Sequence, residues 1–197
     1  MMIERSSLKT LIEILNSNSI VWGVGGSYLL QLYDLYSEPN DLDLWVQPSD
    51  MPRIRKIFCD YHEIITHICL PKELHFKMLY QSTEVDFVAC FITKPNQHRF
   101  EYQIKPSNIR TIQLGENLTI PCTFLEDWYI IYRLLGRNDK AELIWSFFSK
   151  KKIEIDRMAL EQAITSQKNN LPKYLRRDIP KLVEAATQYS MFDNDIL

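Results

Sequence analysis

The stretch Ile20-Val-Trp-Gly-Val-Gly-Gly-Ser-Tyr28, with Asp41-Leu-Asp-Leu-Trp-Val46 after it, decides how this chain folds. Its first part is a short apolar run, typical of a buried strand, that ends in Gly25-Gly26. Glycine tolerates the positive φ angles and close backbone approaches that a strand-to-helix turn needs. The sequence therefore predicts a strand over residues 20–24, a tight turn, and a helix with Ser27 as its N-cap.

Two aspartates interrupt the apolar pattern of the second part. Successive side chains of a strand alternate between its faces, so Asp41 and Asp43 are expected on one face, one pleat apart. Carboxylates that close repel each other, and a divalent cation such as magnesium offsets the repulsion and also binds phosphate oxygens. A glycine turn before a helix favours phosphate as well. Alone, the D-x-D motif is more typical of a solvent-facing strand edge, and the glycine motif is equally typical of a tight turn with an N-cap.

A third carboxylate lies further along the chain. Residues 75–80 and 84–91 have the alternation of two strands in a hairpin. Asp86 stands in the middle of the second apolar run, where an unpaired carboxylate is costly. We expect Asp86 to face a ligand, to lie on the solvated face of the sheet, or to be paired with a base in the core. Glu84 is predicted on the same face and is the alternative candidate.

The remaining sequence is divided by its periodicity. A further strand is predicted over residues 63–70, and a hairpin joins residues 112–114 to 118–120. Thr123-Phe-Leu-Glu126 matches a capping box, and the pattern after it is helical. Pro180 is expected to break or kink the last helix. The sequence therefore predicts an α+β domain over residues 1–121 and a helical domain over residues 122–197. Helices are predicted near residues 6–15, 52–61, 125–135, 139–149, 156–166 and 172–188.

Composition narrows the class of protein. A hydrophobic fraction of 46% in 197 residues argues against disorder, and a formal net charge of −2 predicts no general polyanion-binding surface. The four cysteines form no C-x-x-C pair and stand in apolar surroundings, which predicts buried free thiols. No apolar run has membrane-spanning length, and the first residues lack the plan of a signal peptide. We therefore expect a cytoplasmic protein.

The order of these motifs is specific. A Gly-Gly-Ser turn, a helix, a D-x-D strand and a later strand with a third aspartate resemble the nucleotidyltransferase superfamily, which has a DNA polymerase β-like fold. The resemblance implies an α+β fold with a mixed sheet, flanking helices and a C-terminal helical bundle. It implies that Asp41, Asp43 and Asp86 bind two magnesium ions, and that Asp86 is also the general base. It further implies that the triphosphate is held by Gly25, Gly26 and Ser27.

A second resemblance covers residues 124–142. This segment is similar to the region after the catalytic sheet in small bacterial nucleotidyltransferases, which include lincosamide- and aminoglycoside-modifying enzymes and abortive-infection toxins. It implies that Lys140 and Arg133 contact the triphosphate, with Arg137 as a further candidate. All three cations are equally explained as charges on a solvated helix face.

Together these patterns indicate an enzyme. The expected reaction transfers a nucleoside monophosphate from a magnesium-bound triphosphate, ATP first among them, to an acceptor hydroxyl and releases pyrophosphate. The near-neutral charge favours a small-molecule acceptor, while nucleic acid or protein stays open. Two alternatives remain: a catalytically silent nucleotide-binding or antitoxin-like partner, and a toxin that modifies transfer RNA or protein.

Overall fold

The computed structural model describes residues 4–65, 71–94, 100–115, 118–150 and 171–191. The chain forms two compact units, Met1–Ile92 with Tyr102–Thr123, and Thr93–Glu101 with Phe124–Leu197. The predicted domain boundary between residues 121 and 122 stays a prediction. The described helices and strands are α1 (Arg5–Ser17), β1 (Trp22–Val24), α2 (Gly26–Leu32), β2 (Asp41–Val46), α3 (Met51–Ile57), β3 (His75–Tyr80), β4 (Thr83–Val88), β5 (Phe91–Thr93), β6 (Phe100–Tyr102), β7 (Ile109–Gln113), β8 (Thr119–Thr123), α4 (Leu125–Leu134), α5 (Asn138–Lys150) and α6 (Lys173–Met191).

A six-stranded mixed sheet forms the centre of the first unit. Its strand order is β3-β4-β2-β1-β8-β7, in which β2 pairs with β4 and β1 with β8 in parallel. The other neighbouring strands are antiparallel. This arrangement confirms the predicted α+β fold with a mixed sheet.

Helix α1 confirms the predicted amphipathic pattern. Leu8, Leu11, Ile12 and Leu15 are all buried, and the helix begins at Arg5, close to the expected start. Burying a leucine or isoleucine side chain stabilises the fold by about 1.5–3 kcal/mol. This face of α1 therefore belongs to the core of the first unit.

The turn after β1 differs from the prediction. Gly25 is the N-cap of α2, so the prediction that Ser27 caps the helix was wrong. The chain turns at Gly26, where φ is +62°, and the helical pattern begins with the hydrogen bond from Leu29 N to Gly25 O at 3.1 Å. The glycine pair completes the turn before Ser27, which consequently lies inside the first helical turn.

The predicted capping box at α4 was also wrong. Phe124 is the N-cap of this helix, and no side chain caps it. Thr123 is instead the last residue of β8, where its Oγ1 donates a hydrogen bond to Val24 O at 2.9 Å. The threonine hydroxyl thus satisfies the carbonyl of the last residue of β1, and it does not cap helix α4.

The predicted hairpins are present. Strands β3 and β4 join at Gln81, which has a φ of +55°, and β7 pairs with β8. Strand β4 ends at Val88, three residues earlier than predicted, because β5 pairs with β6 in a separate two-stranded sheet. Of the strand predicted over residues 63–70, Glu63 forms a single bridge to Met78, and residues 66–70 lie outside the described part of the chain.

Apart from residues of β5 and β6, the described part of the second unit is helical. Helix α4 packs against α5, and α5 packs against α6. Pro180 lies inside α6, so the prediction that it breaks the helix was wrong, and its alternative, a kink, stays a prediction. Leu175, Ile179 and Leu182 of α6 are fully buried, and this packing offsets the proline cost of about 3 kcal/mol. The helix predicted near residues 156–166 lies outside the described residues.

The cysteines follow the prediction in part. Cys90 and Cys122 are buried free thiols, but Cys59 is exposed, so the expectation of burial was wrong there. It follows the last turn of α3 on the outward side, beside the buried Phe58. Cys69 lies outside the described residues. Among the helices that the structure describes, none has both the length and the apolar character of a bilayer-spanning segment.

Candidate functional site

Three aspartates converge on the sheet of the first unit. One carboxylate oxygen each from Asp41, Asp43 and Asp86 lies within 4.8 Å of the other two. Strands β2 and β4 run in parallel with Asp43 directly opposite Asp86, and Asp41 is two residues from Asp43 on the same face. Asp86 is buried, whereas the two aspartates of β2 are half-buried. Strand alternation and register together produce this cluster.

The glycine turn lies against the same cluster. A Cβ atom on Gly26 would stand 1.7 Å from Asp43 Oδ2, and φ at this residue is +62°. Gly25 N donates a hydrogen bond to Asp43 O at 2.9 Å. Only glycine fits here, because any side chain would overlap the carboxylate as well as strain the backbone. The turn and the D-x-D strand are therefore one structural element.

Ser27 follows this turn as the second residue of α2 and is buried. The structure thus brings Gly25 and Gly26 into contact with Asp43 and places Ser27 one residue further on. The part of Ser27 in binding phosphate stays a prediction.

Lys77 enters the cluster from β3, and sequence reasoning missed it. It stands directly opposite Asp86 in the β3–β4 pair. Its Nζ lies 2.8 Å from Glu84 Oε2, 3.6 Å from Asp41 Oδ2 and 4.0 Å from Asp86 Oδ2. Burial alone would lower the pKa of Lys77, but the hydrogen bond to Glu84 and the charges of Asp86, Asp41 and Glu84 outweigh it and raise that pKa. A lysine between Phe76 and Met78 in a predicted strand was the signal available in the sequence.

His75 approaches the other oxygen of Asp86. Its Nε2 lies 2.5 Å from Asp86 Oδ1, and both side chains are buried. His75 is two residues before Lys77 on β3 and therefore shares its face. Arg55 holds this strand end in place, since its Nη2 donates a hydrogen bond to His75 O at 2.8 Å. Asp86 is thus approached by two basic residues, one at each carboxylate oxygen.

Glu84 has a different role from Asp86. It lies opposite Asp41 in the parallel pair, but its side chain is half exposed and forms an ion pair with Lys77. The group of three carboxylates with metal-binding spacing contains Asp86 and not Glu84. Geometry therefore favours Asp86 of the two candidates on β4.

The second unit carries the two cations expected to contact the triphosphate. Arg133 is bound within this unit, with Nη2 at 3.0 Å from Asp178 Oδ2 and Nη1 at 2.7 Å from Asn138 Oδ1. Its guanidinium also lies over the Tyr174 ring, 5.3 Å from the centroid. Lys140 is buried in the first turn of α5. For both residues, nucleotide binding stays a prediction.

Comparison with solved structures identifies the fold. The chain resembles the lincosamide antibiotic adenylyltransferase LnuA in its lincomycin-bound form, with a TM-score of 0.50 and 8% identity over 73% of this chain and 98% of LnuA. It resembles a Thermotoga maritima protein assigned as a nucleotidyltransferase, with a TM-score of 0.50 and 19% identity over 76% and 96% of the two chains. This chain has the nucleotidyltransferase fold. The predicted resemblance to that superfamily is confirmed at the level of fold.

A further neighbour shares the nucleotidyltransferase fold. The antibiotic-resistance factor ANT(2'')-Ia matches with a TM-score of 0.50 and 9% identity, over 83% of this chain and 94% of that one. No family model and no curated protein matches the sequence. The fold is therefore shared at sequence identities of 8%, 19% and 9%, a level at which the sequence comparisons find no match.

Proposed function

We propose that this protein is a nucleotidyltransferase that moves a nucleoside monophosphate from a nucleoside triphosphate to an acceptor hydroxyl and releases pyrophosphate. The observation that carries the proposal is the convergence of Asp41, Asp43 and Asp86, with one oxygen of each within 4.8 Å of the others. The fold likeness to LnuA and to the Thermotoga maritima protein supports it.

The residues of the cluster fit magnesium. All three donors are carboxylates, the hard oxygen ligands that magnesium prefers. Because Gly26 has no Cβ atom, the Asp43 carboxylate can lie against the turn, where a Cβ would overlap it. Asp41, Asp43 and Asp86 would hold the magnesium ions. The family resemblance implies that there are two ions. When bound, magnesium supplies positive charge that stabilises the attacking and leaving oxygens of an in-line displacement.

Asp86 is proposed as the general base. His75 Nε2 faces Asp86 Oδ1, whereas Asp86 Oδ2 lies 4.0 Å from Lys77 Nζ. In the proposed reaction the acceptor hydroxyl gives its proton to Asp86 Oδ2 as its oxygen bonds to the α-phosphorus. The bond from that phosphorus to the bridging oxygen breaks, and pyrophosphate leaves with the electron pair. His75 keeps the carboxylate oriented during this transfer.

The glycine turn and the cations of the second unit are proposed to hold the triphosphate. The first amide groups of a helix have no acceptors within it, so those of Gly26 and Ser27 are suitable donors to phosphate oxygens. Gly25 contributes by attaching the turn to Asp43. Lys140 and Arg133 would add positive charge, although Arg133 would act while paired with Asp178.

The substrates are proposed from the neighbours and the charge. LnuA is an adenylyltransferase whose structure contains lincomycin. We therefore propose ATP as the donor and a small hydroxyl-bearing molecule as the acceptor. A net charge of −2 is consistent with this choice, because binding to nucleic acid depends on many phosphate contacts from Lys and Arg. The proposed site of action is the cytoplasm.

The test incubates the full chain with magnesium and each labelled triphosphate, alone and with pooled acceptors. We expect magnesium-dependent pyrophosphate release and a labelled small molecule, both lost in Asp43→Asn. Asp60→Asn is the matched control, because this exposed aspartate lies outside the cluster. The proposal fails if no triphosphate binds in calorimetry and no pyrophosphate appears. Binding without turnover would indicate a silent binding partner, and label on RNA would indicate a toxin.

A further inference from the structure

We propose that Lys77 is a built-in counter-cation of the carboxylate cluster, which lowers the affinity of the cluster for magnesium alone and makes metal binding depend on the triphosphate. This inference rests on the proposed function, because it takes Asp41, Asp43 and Asp86 as the metal site. It assigns a positioning role to a residue of β3 that is not itself a metal ligand.

The contacts of Lys77 carry the argument. Its ammonium lies within 4.0 Å of carboxylate oxygens from three different residues, Asp41, Glu84 and Asp86. Its side chain is only 12% exposed, so solvent screens these charges weakly. A surface lysine with one partner has a small effect, whereas a nearly buried cation among several carboxylates neutralises a large part of their charge.

Two of these carboxylates are proposed metal ligands. Lys77 Nζ faces Asp41 Oδ2 at 3.6 Å and Asp86 Oδ2 at 4.0 Å. A divalent ion held by the same carboxylates would lie close to the ammonium, and like charges at such distances repel. The lysine therefore raises the free energy of the ion-bound cluster relative to a cluster of the same shape without it.

Glu84 explains how the site can still accept the ion. It is the nearest partner of Lys77, at 2.8 Å, and it stands outside the three-carboxylate group. It holds the ammonium toward one side of the cluster. The negative charge of a bound triphosphate would then add to that of the aspartates and offset the repulsion from Lys77. The expected result is that magnesium and triphosphate bind together.

The experiment compares the wild type with Lys77→Met, Lys77→Arg and Lys56→Met. Lys56 is an exposed lysine of α3 and serves as the matched control. Titration calorimetry measures magnesium binding to the full chain, first alone and then with a non-hydrolysable ATP analogue. We expect Lys77→Met to bind magnesium alone about tenfold more tightly than the wild type, the change typical of one nearby charge. Lys77→Arg and Lys56→Met should match the wild type.

A second measurement serves as a check on folding. In EDTA, Lys77→Met should melt at a lower temperature than Lys56→Met, because the carboxylates then repel each other without a counter-cation. Added magnesium should remove this difference. If Lys77→Met does not fold, Glu84→Gln replaces it. That variant frees the ammonium to move toward Asp41 and Asp86, and it should bind magnesium alone more weakly than the wild type.

The outcomes separate the two proposals. Equal magnesium affinity of Lys77→Met and Lys56→Met, with clear binding by both, would overturn the role of Lys77 and leave the metal site standing. Absence of magnesium binding by every variant, with and without the analogue, would overturn the metal site and this inference together. The strongest support would be that Lys77→Met binds magnesium without the analogue, whereas the wild type binds magnesium only when the analogue is present.

Discussion

The sheet unit and the helical unit both contain charged residues that the sequence assigns to the reaction, but they hold them differently. On the sheet, strand alternation and the register of β2 and β4 bring Asp41, Asp43 and Asp86 together. In the helical unit, the guanidinium of Arg133 is bound to Asp178. Strand alternation thus assigns charged side chains to one face of the sheet, and the register of paired strands then brings them together. A cation on a helix has several possible partners instead.

The largest effect is expected at Asp43. Asp43→Asn keeps the shape of the side chain and removes its charge, so the proposed metal site loses one of its ligands. Metal ions contribute several kcal/mol to transition-state stabilisation, which corresponds to about 1000-fold in kcat. Pyrophosphate release under saturating ATP measures the loss, with Asp60→Asn as control. A loss of less than about tenfold would contradict a role for this carboxylate in catalysis.

Gly26→Ala tests the contact between the turn and the strand. The added Cβ would overlap Asp43 Oδ2 at 1.7 Å, at a φ of +62°. We expect a loss of about 2–4 kcal/mol in the free energy of unfolding, from backbone strain and overpacking together. Gly136→Ala is the control, because its φ is +71° and nothing lies within 4 Å of the new atom.

The Gly136→Ala control should cost only the positive-φ penalty of about 1–2 kcal/mol. Chemical denaturation of both variants gives the difference between them. Equal losses of stability in Gly26→Ala and Gly136→Ala would show that Asp43 moves away from the new Cβ at little cost. The contact would then not be what requires glycine in the turn. A larger loss for Gly26→Ala would confirm that the turn and the D-x-D strand act as one element.

Arg133→Met tests the helical side of the comparison. Its charged hydrogen bonds to Asp178 and Asn138 are partly exposed, and we expect their loss to lower the free energy of unfolding by about 1–2 kcal/mol. Arg177→Met is the control, because Arg177 is 70% exposed and also contacts Asp178. Its effect should be about 0.5 kcal/mol or less. An unchanged stability of Arg133→Met combined with weaker ATP binding would instead give Arg133 a purely nucleotide-binding role.

The smallest effect is expected from pH. Burial raises the pKa of the Cys122 thiol to about 12 from its ordinary value of 9.0. The folded state therefore keeps the thiol protonated where the unfolded chain has lost its proton. This contribution to stability is present below pH 9 and is lost as the pH rises toward 12.

Cys122→Ala removes this alkaline loss. Its stability relative to the wild type should rise by about 1 kcal/mol between pH 8 and pH 10. Urea denaturation of both proteins at the two pH values measures this change. The cost of the smaller side chain is the same at both pH values and cancels in the difference. Cys59→Ala is the control, because it removes an exposed thiol instead of a buried one. A parallel rise in both variants would contradict the burial argument.

Much of the sheet site was predictable because it depends on short-range rules. Strand β2 has the predicted bounds, and strand alternation puts Asp41 and Asp43 on one face. Asp86 was identified because a carboxylate inside an apolar strand needs a partner or a ligand. The choice of Asp86 over Glu84 required the parallel register of β2 and β4, which pairs strands distant in the sequence.

Other features depend on neighbours that the sequence does not specify. Lys77 and His75 approach Asp86 only because β3 pairs with β4 in one register. The sequence around Thr123 matched a capping box, but its hydroxyl donates a hydrogen bond to the carbonyl of Val24, a residue distant in the sequence. Pro180 remains inside α6, where burial of Ile179 and Leu182 outweighs the local preference. Tertiary contacts thus overrode local signals in each of these cases.

The most direct test of the central claim is a titration of manganese, as a spectroscopic substitute for magnesium, followed by electron paramagnetic resonance. It uses the full-length wild type and Asp43→Asn, each with a non-hydrolysable ATP analogue. We expect stoichiometric binding of manganese to the wild type and binding at least about 100-fold weaker in Asp43→Asn. Equal binding by the two proteins, or no binding by the wild type, would contradict the claim that the three aspartates form the metal site of a nucleotidyltransferase.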